Sequence, residues 1–312
     1  MDYRGQTERR PRRSIKKLLL ILIALSLLGY GFWQYFDQAA TASFPGSSIL
    51  GAFNTKPQPI DSVSLSAKLG PLISQFTATG WQLGLYVYDF QTQSSYSDNP
   101  DQSFTAASLT KLPVLLTVYS EIQSGKLNEA QMVPFTADEL QDYGTSILQY
   151  HGPGTQYSLK DLLWYMANRS DNSAFQVLVD LVGLDTVEKN LYRWGFKTTS
   201  VKSDVITPRE AVRLFDLAYS GKIVSGPLKD EMLGLLVKTE DESRIPAGVP
   251  SNVRVIHKEG NAIGGLMDAG VVELKDRPYA IAILATNADD ETKETSLEAQ
   301  ISQTVYDYMK SL

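Results

Sequence analysis

Apolar positions in this chain change their spacing in a fixed order: one unbroken block, then helix, strand, a long helical stretch, and strand again. Residues 18–36 are almost all apolar, roughly long enough to cross the hydrocarbon core of a bilayer. Residues 62–76 carry Leu65, Leu69, Leu72 and Ile73 at helical spacing, and residues 81–90 read as a strand that turns through 91–99 into a second, shorter one. From Ser108 to Gly125, the apolar residues Leu112, Leu115, Leu116, Tyr119 and Ile122 again fall on a helical stripe, with the glycine as its stop, so a largely buried helix is predicted to begin near Ser108. Between 126 and 250 the pattern gives helices at 159–166, 173–182, 187–194, 209–219 and 228–237, and no convincing strand. Three β-rich runs come next at 253–257, 269–274 and 279–286, then a last helix over 295–309. Strands at both ends with helices between predict an α/β (α+β) fold, its antiparallel sheet made from the two chain ends and flanked by helices, with an all-helical half inserted.

Charge changes the picture at the N-terminus. Residues 1–17 hold seven Lys and Arg against Asp2 and Glu8, which leaves the rest of the chain at net −11. A basic flank before an apolar block, with Trp33, Tyr35 and Phe36 at its far end, predicts a cytoplasmic tail (1–17), a single transmembrane helix (18–36), a linker rich in Ala, Ser, Gly and Pro (37–60) and an extracytoplasmic domain (61–312). A cleaved signal peptide ending near Ala40-Thr41-Ala42 is the rival reading. The acidic remainder argues against nucleic acid as a partner. With no cysteine there can be no disulfide, thiol nucleophile, thiolate metal site or lipoprotein anchor, and an outward-facing domain without disulfides points to a bacterial cell membrane.

Candidate chemistry starts with Ser108 and Lys111. At i and i+3 of a helix an amine can reach back to a hydroxyl, and a serine with its own base is a nucleophile. The spacing alone is weak, since Ser14 and Lys17 repeat it inside the basic tail. Ser170-Asp171-Asn172 comes after a helical run and, alone, reads as an ordinary cap; Lys258-Glu259-Gly260 comes after the run 253–257 and, alone, reads as a plain strand end. The two histidines, His151 and His257, accompany no Gly-x-Ser-x-Gly elbow, which argues against a Ser-His-Asp hydrolase.

In this order, Ser-x-x-Lys, Ser-Asp-Asn and Lys-x-Gly, the chain resembles the class A β-lactamase and penicillin-binding-protein superfamily. Neighbouring runs extend the likeness over about residues 62–312: Gly154–Leu163 before Ser-Asp-Asn, Thr207-Pro-Arg-Glu210, and Arg244 to Pro250 before the final motif. The resemblance implies that Ser108 attacks a strained or D-configured amide, that Lys111 takes its proton, and that Ser170 relays it to the leaving nitrogen. It further implies that Asn172 holds the substrate's side-chain amide and that Lys258, with Arg244 as a helper, holds the substrate carboxylate. The oxyanion would then lie between the backbone N–H groups of Ser108 and of Asn261, beyond Gly260. The implied substrate is a β-lactam or a peptidoglycan stem peptide, the implied enzyme a monomer, and no cofactor or metal is required.

Two departures bear on function. The glutamate-bearing loop with which class A enzymes free their acyl-enzyme has no room between Gly195 and Pro208; Glu188-Lys-Asn-Leu191 resembles it only superficially and reads as helix surface. The threonine of Lys-Thr-Gly is Glu259 here, which either pairs with Lys258 and points away or faces the pocket and repels an acidic substrate. Three functions fit the pattern: a β-lactamase, a penicillin-binding D,D-peptidase or transpeptidase with slow deacylation, or a non-catalytic wall-binding module.

Overall fold

One strand near the end of the chain ties the molecule together. In this computed structural model, which describes residues 56–312 apart from 79, 288 and 289, β9 (Tyr279–Thr286) lies mid-sheet with β1 (Gln82–Asp89) on one side and β8 (Gly265–Val272) on the other. Adding β2 (Ser95–Asp98) beyond β1 and β7 (Val255–Ala262) beyond β8 completes a five-stranded antiparallel sheet in the order β2-β1-β9-β8-β7. Alternate residues of β9 serve two cores, as the period of a strand requires. Tyr279, Ile281, Ile283 and Ala285 join the core under α1 (Ser62–Ala78) and the last helix, α8 (Glu291–Ser311); Ala280, Ala282 and Leu284 join the core shared with the helical half.

That helical half is built around α2 (Lys111–Gln123). Nine consecutive residues of it, Lys111 through Tyr119, are buried. A helix apolar all round is stable only when other helices surround it, and α3 (Leu159–Asn168), α4 (Asn172–Val182), α5 (Leu184–Arg193), α6 (Pro208–Tyr219) and α7 (Gly226–Gly234) supply the apolar residues of that shared core. The α/β fold, with its sheet drawn from both chain ends, is therefore as the pattern predicts.

The differences are local and have causes. The predicted helix at Ser108 opens as a 3-10 turn (Ala107–Thr110), with Ala107 in the left-handed region (φ 47°), before α2 begins at Lys111. β7 runs on through Ala262 instead of ending at His257, because a tight turn at Ile263 and Gly264 (φ 74°) lets Asn261 pair with Leu266. β8 starts four residues before its predicted start; Asp268, wholly buried yet charged, broke the apolar run that would have marked it. The paired strands β4 (Met132–Pro134) with β5 (Gln156–Ser158), and β3 (Phe104–Thr105) with β6 (Val205–Ile206), are too short to leave a period.

The folded unit begins slightly before the predicted boundary at 61: Ile60 N donates to Ser94 Oγ at 2.8 Å and Arg277 reaches the Gln58 carbonyl. The predicted basic tail, transmembrane helix and linker through residue 55 lie outside the described residues. Among the described residues no helix is long and apolar enough to cross a membrane.

Candidate active site

Ser108 is the second residue of the 3-10 turn, and on such a turn side chains at i and i+3 eclipse. The Lys111 amine therefore stands directly over the serine, with Nζ 2.7 Å from Ser108 Oγ. The turn is pinned from behind by Asp204, itself left-handed (φ 49°), whose Oδ1 accepts the Ala107 N–H at 2.8 Å and whose carbonyl accepts the Ala106 N–H at 3.1 Å.

Ser170 approaches from the helical half. Its backbone is left-handed (φ 54°), a conformation that a non-glycine residue keeps only when its surroundings hold it. The neighbour Asp171 does the holding: fully buried, it caps α4 through the Ala174 N–H at 2.8 Å and accepts the Leu148 N–H at 2.9 Å. So fixed, Ser170 donates its hydroxyl to Ser108 Oγ at 3.0 Å. Asn172, the first residue of α4, accepts from Lys111 Nζ at 2.8 Å and gives its amide to the Tyr143 carbonyl at 2.9 Å.

Lys111 is buried. Burial, with the positive charge of Lys258 behind it, outweighs the nearby carboxylates and pulls its amine from the usual 10.5 down to about 7. A substantial fraction is then a neutral amine at neutral pH, able to accept the Ser108 proton.

β7 forms the opposite wall. It is the edge strand, and His257 donates its N–H off that open edge to the Leu236 carbonyl at 2.9 Å. By alternation the N–H groups of Glu259 and Asn261 point off the same edge. The strand packs tightly on the serine turn: a Cβ added at Gly260 would stand 3.1 Å from the Ala106 carbonyl oxygen and 3.3 Å from Ser108 N. The Asn261 N–H is thus left unpaired by β8, on a strand that packs against the Ser108 backbone, where a donor to an oxyanion would be needed.

The resulting open cleft has a volume of about 970 Å³, and Ser108, Ser170, Asn172, Asp204, Glu259 and Asn261 all line it. Among the described residues no group of three or more metal-ligating side chains is arranged to hold an ion.

Two predicted ligands of the substrate carboxylate are placed elsewhere. Arg244 is buried behind β7 and does not line the cleft: its guanidinium donates to the Gly260 carbonyl (3.1 Å), the Met267 carbonyl (2.9 Å), Asp241 (3.2 Å) and the Asn261 side chain. It braces the strand and has no free fork to offer a ligand. Lys258 is wholly buried and gives its ammonium to Glu259 Oε1 at 2.6 Å. Its position affects Lys111 through its charge instead of presenting a cation to the cleft. Glu259 combines both expected behaviours, since it pairs with Lys258 and lines the cleft. Asn172 lines the cleft as predicted, with its amide already engaged at both ends.

Behind Glu259 lies a chain of polar groups that the sequence did not disclose. Thr239 Oγ1 donates to Glu259 Oε2 at 3.2 Å and lies 3.0 Å from His257 Nε2. His257, wholly buried, is also 2.9 Å from Asp268 Oδ1 and 3.1 Å from Glu242 Oε1. Burial disfavours its charge, but Asp268 and Glu242 prevail and raise it to about 10, so the ring is an imidazolium donating from both nitrogens. Glu188 lies on α5 with its carboxylate spent on the adjoining loop, accepting the Lys202 N–H at 2.9 Å.

The profile of the β-lactamase enzyme family matches residues 64–309. Among curated proteins, β-lactamase VEB-1 of Pseudomonas aeruginosa is 27% identical over 240 residues, covering 69% of this chain and 79% of that protein. Among solved structures, a point mutant of PBP-A, an acyl-enzyme complex with penicillin G, superposes with a TM-score of 0.76 at 23% identity, covering 83% of this chain and all of that one. A β-lactamase from Sphaerobacter thermophilus gives 0.72 at 23% identity, covering 81% and 99%. Residues from all three motifs line one cleft on this fold, and a family match running through nearly the whole folded unit makes the chain a member of the β-lactamase enzyme family.

Proposed function

We propose that the protein is a serine acyl-enzyme former of the penicillin-binding kind, in which acylation of Ser108 is supported and hydrolysis of the acyl-enzyme is slow. The observation that carries this reading is the contact of Ser108 Oγ with Lys111 Nζ at 2.7 Å and Ser170 Oγ at 3.0 Å on an open cleft. In the reaction, neutral Lys111 accepts the Ser108 proton while Oγ bonds to the acyl carbon. The charge that builds on the carbonyl oxygen is met by the N–H groups of Ser108 and Asn261. The C–N bond then breaks, and the proton passes from Lys111 through Ser170 to the leaving nitrogen.

Slow deacylation rests on the segment after α5. The stretch from Gly195 to Thr207 carries no glutamate, and its one carboxylate, Asp204, has an oxygen occupied by the Ala107 N–H. PBP-A, as a point mutant, holds penicillin G as an acyl-enzyme. A β-lactamase reading has the support of the curated relatives, VEB-1 among them. We place the domain outside the cytoplasm, tethered by residues 18–36.

Intact-mass measurement with a penicillin and with a neutral activated ester tests the reading. The wild type gains one acyl group that persists for minutes or longer, and Ser108→Ala gains none. Adducts indifferent to Ser108→Ala would sink the proposal, and adducts that clear within seconds would favour a β-lactamase.

A further inference from the structure

The wall of the cleft beyond the nucleophile is unusual in its charge. Glu259 presents a carboxylate that is nearly buried, with one oxygen 2.6 Å from the ammonium of Lys258 and the other 3.2 Å from Thr239. The Lys258 ammonium is therefore engaged by Glu259 where it would otherwise be free to hold an anion. The second cation of that region, Arg244, is committed to two carbonyls, Asp241 and the Asn261 side chain. The cleft as a whole is acidic: five carboxylates line it, Glu259 and Asp204 beside the serine turn among them, against only Lys111 and Lys202.

A carboxylate on the ligand entering this region would meet Glu259 at close range in a partly dehydrated site, where like charges repel far more than in water. It would also have to draw Lys258 out of a buried pair, leaving Glu259 without its partner. An uncharged or cationic group meets neither cost. Discrimination here works by rejection, with a fixed charge set against the wrong ligand.

Resting on the acyl-transfer reading, we infer that Glu259 is the specificity-determining residue of this cleft, and that it favours acyl donors without a carboxylate next to the scissile bond on the leaving side over those that carry one. The fitting substrates are amides or esters whose leaving portion ends in an amide, an ester or an ammonium group. Ser108 then attacks an acyl carbon whose departing amine or alcohol takes up the proton from Lys111 by way of Ser170.

The test compares two acyl donors that differ only in that group, penicillin G and its methyl ester, on the full chain. Second-order rates of Ser108 acylation are read by intact mass for the wild type, Glu259→Thr and Glu259→Gln. Removing Glu259 also alters the field at Lys111, which affects both donors alike, so the informative quantity is the ratio of the two rates. The wild type is expected to react with the methyl ester at least as fast as with the acid. Either variant should move the ratio toward the acid by about tenfold or more.

A wild type that prefers the acid by about tenfold, or a ratio unmoved in both folded variants, overturns the inference while leaving acyl transfer intact. A burst of p-nitrophenol from p-nitrophenyl acetate, compared with Ser108→Ala, reads the nucleophile without any carboxylate in play. Its absence overturns the acyl-transfer reading, and this inference with it. Should the variants fail to fold, the wild-type ratio alone decides.

Discussion

The Lys111 amine lies 2.7 Å from the Ser108 hydroxyl, and the same amine accommodates Asn172 Oδ1 at 2.8 Å, so base, nucleophile and the first residue of α4 form one contact set. With its amine near 7, Lys111 is protonated and unable to accept a proton below that pH. Acylation should rise about tenfold per pH unit below the midpoint and level off above about pH 8. Stopped-flow rates of ester acylation from about pH 5 to about pH 9 measure this; a flat profile would remove Lys111 from the role of base.

Asn172 offers Lys111 a neutral oxygen. Asn172→Asp places a negative charge 2.8 Å from the amine, which favours the ammonium form. The midpoint of the acylation profile should move upward by about one to two pH units. The plateau above it should persist, which separates this electrostatic effect from simple loss of structure.

Gly260 lets β7 approach the serine turn. In Gly260→Ala the new methyl meets backbone at 3.1 and 3.3 Å, and backbone cannot swing aside as a side chain can. The strand must withdraw by a few tenths of an ångström, taking the Asn261 N–H out of line. Acylation should fall by about tenfold or more, while the melting temperature moves little. A large loss of stability with normal kinetics in the residual folded fraction would contradict this.

His257 makes a stability prediction with a definite sign. Its ring holds a proton to about pH 10 when folded and only to about 6.5 when free. The folded state binds the extra proton, so this contribution is full below pH 6.5 and is lost as pH rises toward 10. Lys111 runs the opposite way, since folding lowers its affinity for protons. Subtracting the denaturation curve of His257→Asn from that of the wild type isolates the histidine. The difference should be about a few kcal/mol at about pH 6 and shrink steadily toward about pH 10.

A fourth variant addresses the far side of the sheet. Glu298 is wholly buried, neither carboxylate oxygen has a hydrogen-bond partner, and burial raises its proton affinity well above the ordinary carboxylate range, outweighing the Arg244 guanidinium, whose Nε lies 3.9 Å away. Holding that proton costs the folded state more as pH rises. Glu298→Gln removes the titration and should stabilise the protein by about 1–2 kcal/mol at about pH 8 and by little at about pH 4, as measured by urea denaturation at the two pH values.

How far the sequence foretold this site depends on the type of contact. Ser108, Lys111, Ser170 and Asn172 were legible through the order of the three motifs and the family likeness it carries, each short spacing alone being too common to decide, and the structure brings the four side chains into contact. Lys258 and Arg244 were not, because what a buried cation does depends on which carboxylate the fold brings against it. Glu259 is adjacent in sequence, but Thr239, Glu242 and Asp268 reach His257 from other segments, and no local pattern records them. The same holds for the fold: long helices and the apolar β9 announced themselves, whereas β8 was displaced by a buried aspartate and the two-residue strands left no period.

The central place of β9 has a consequence in time. β1 leaves the ribosome some 190 residues ahead of the strand that must lie beside it, and β7, the wall opposite the serine, comes after Ser108 by about 150. The nucleophile and its base meet early, but the oxyanion edge is drawn into place only once the last strand is made. A chain cut short before residue 286 would keep the serine and its base but lack the strand beside which β8 and β7 assemble, and with them the wall that completes the cleft.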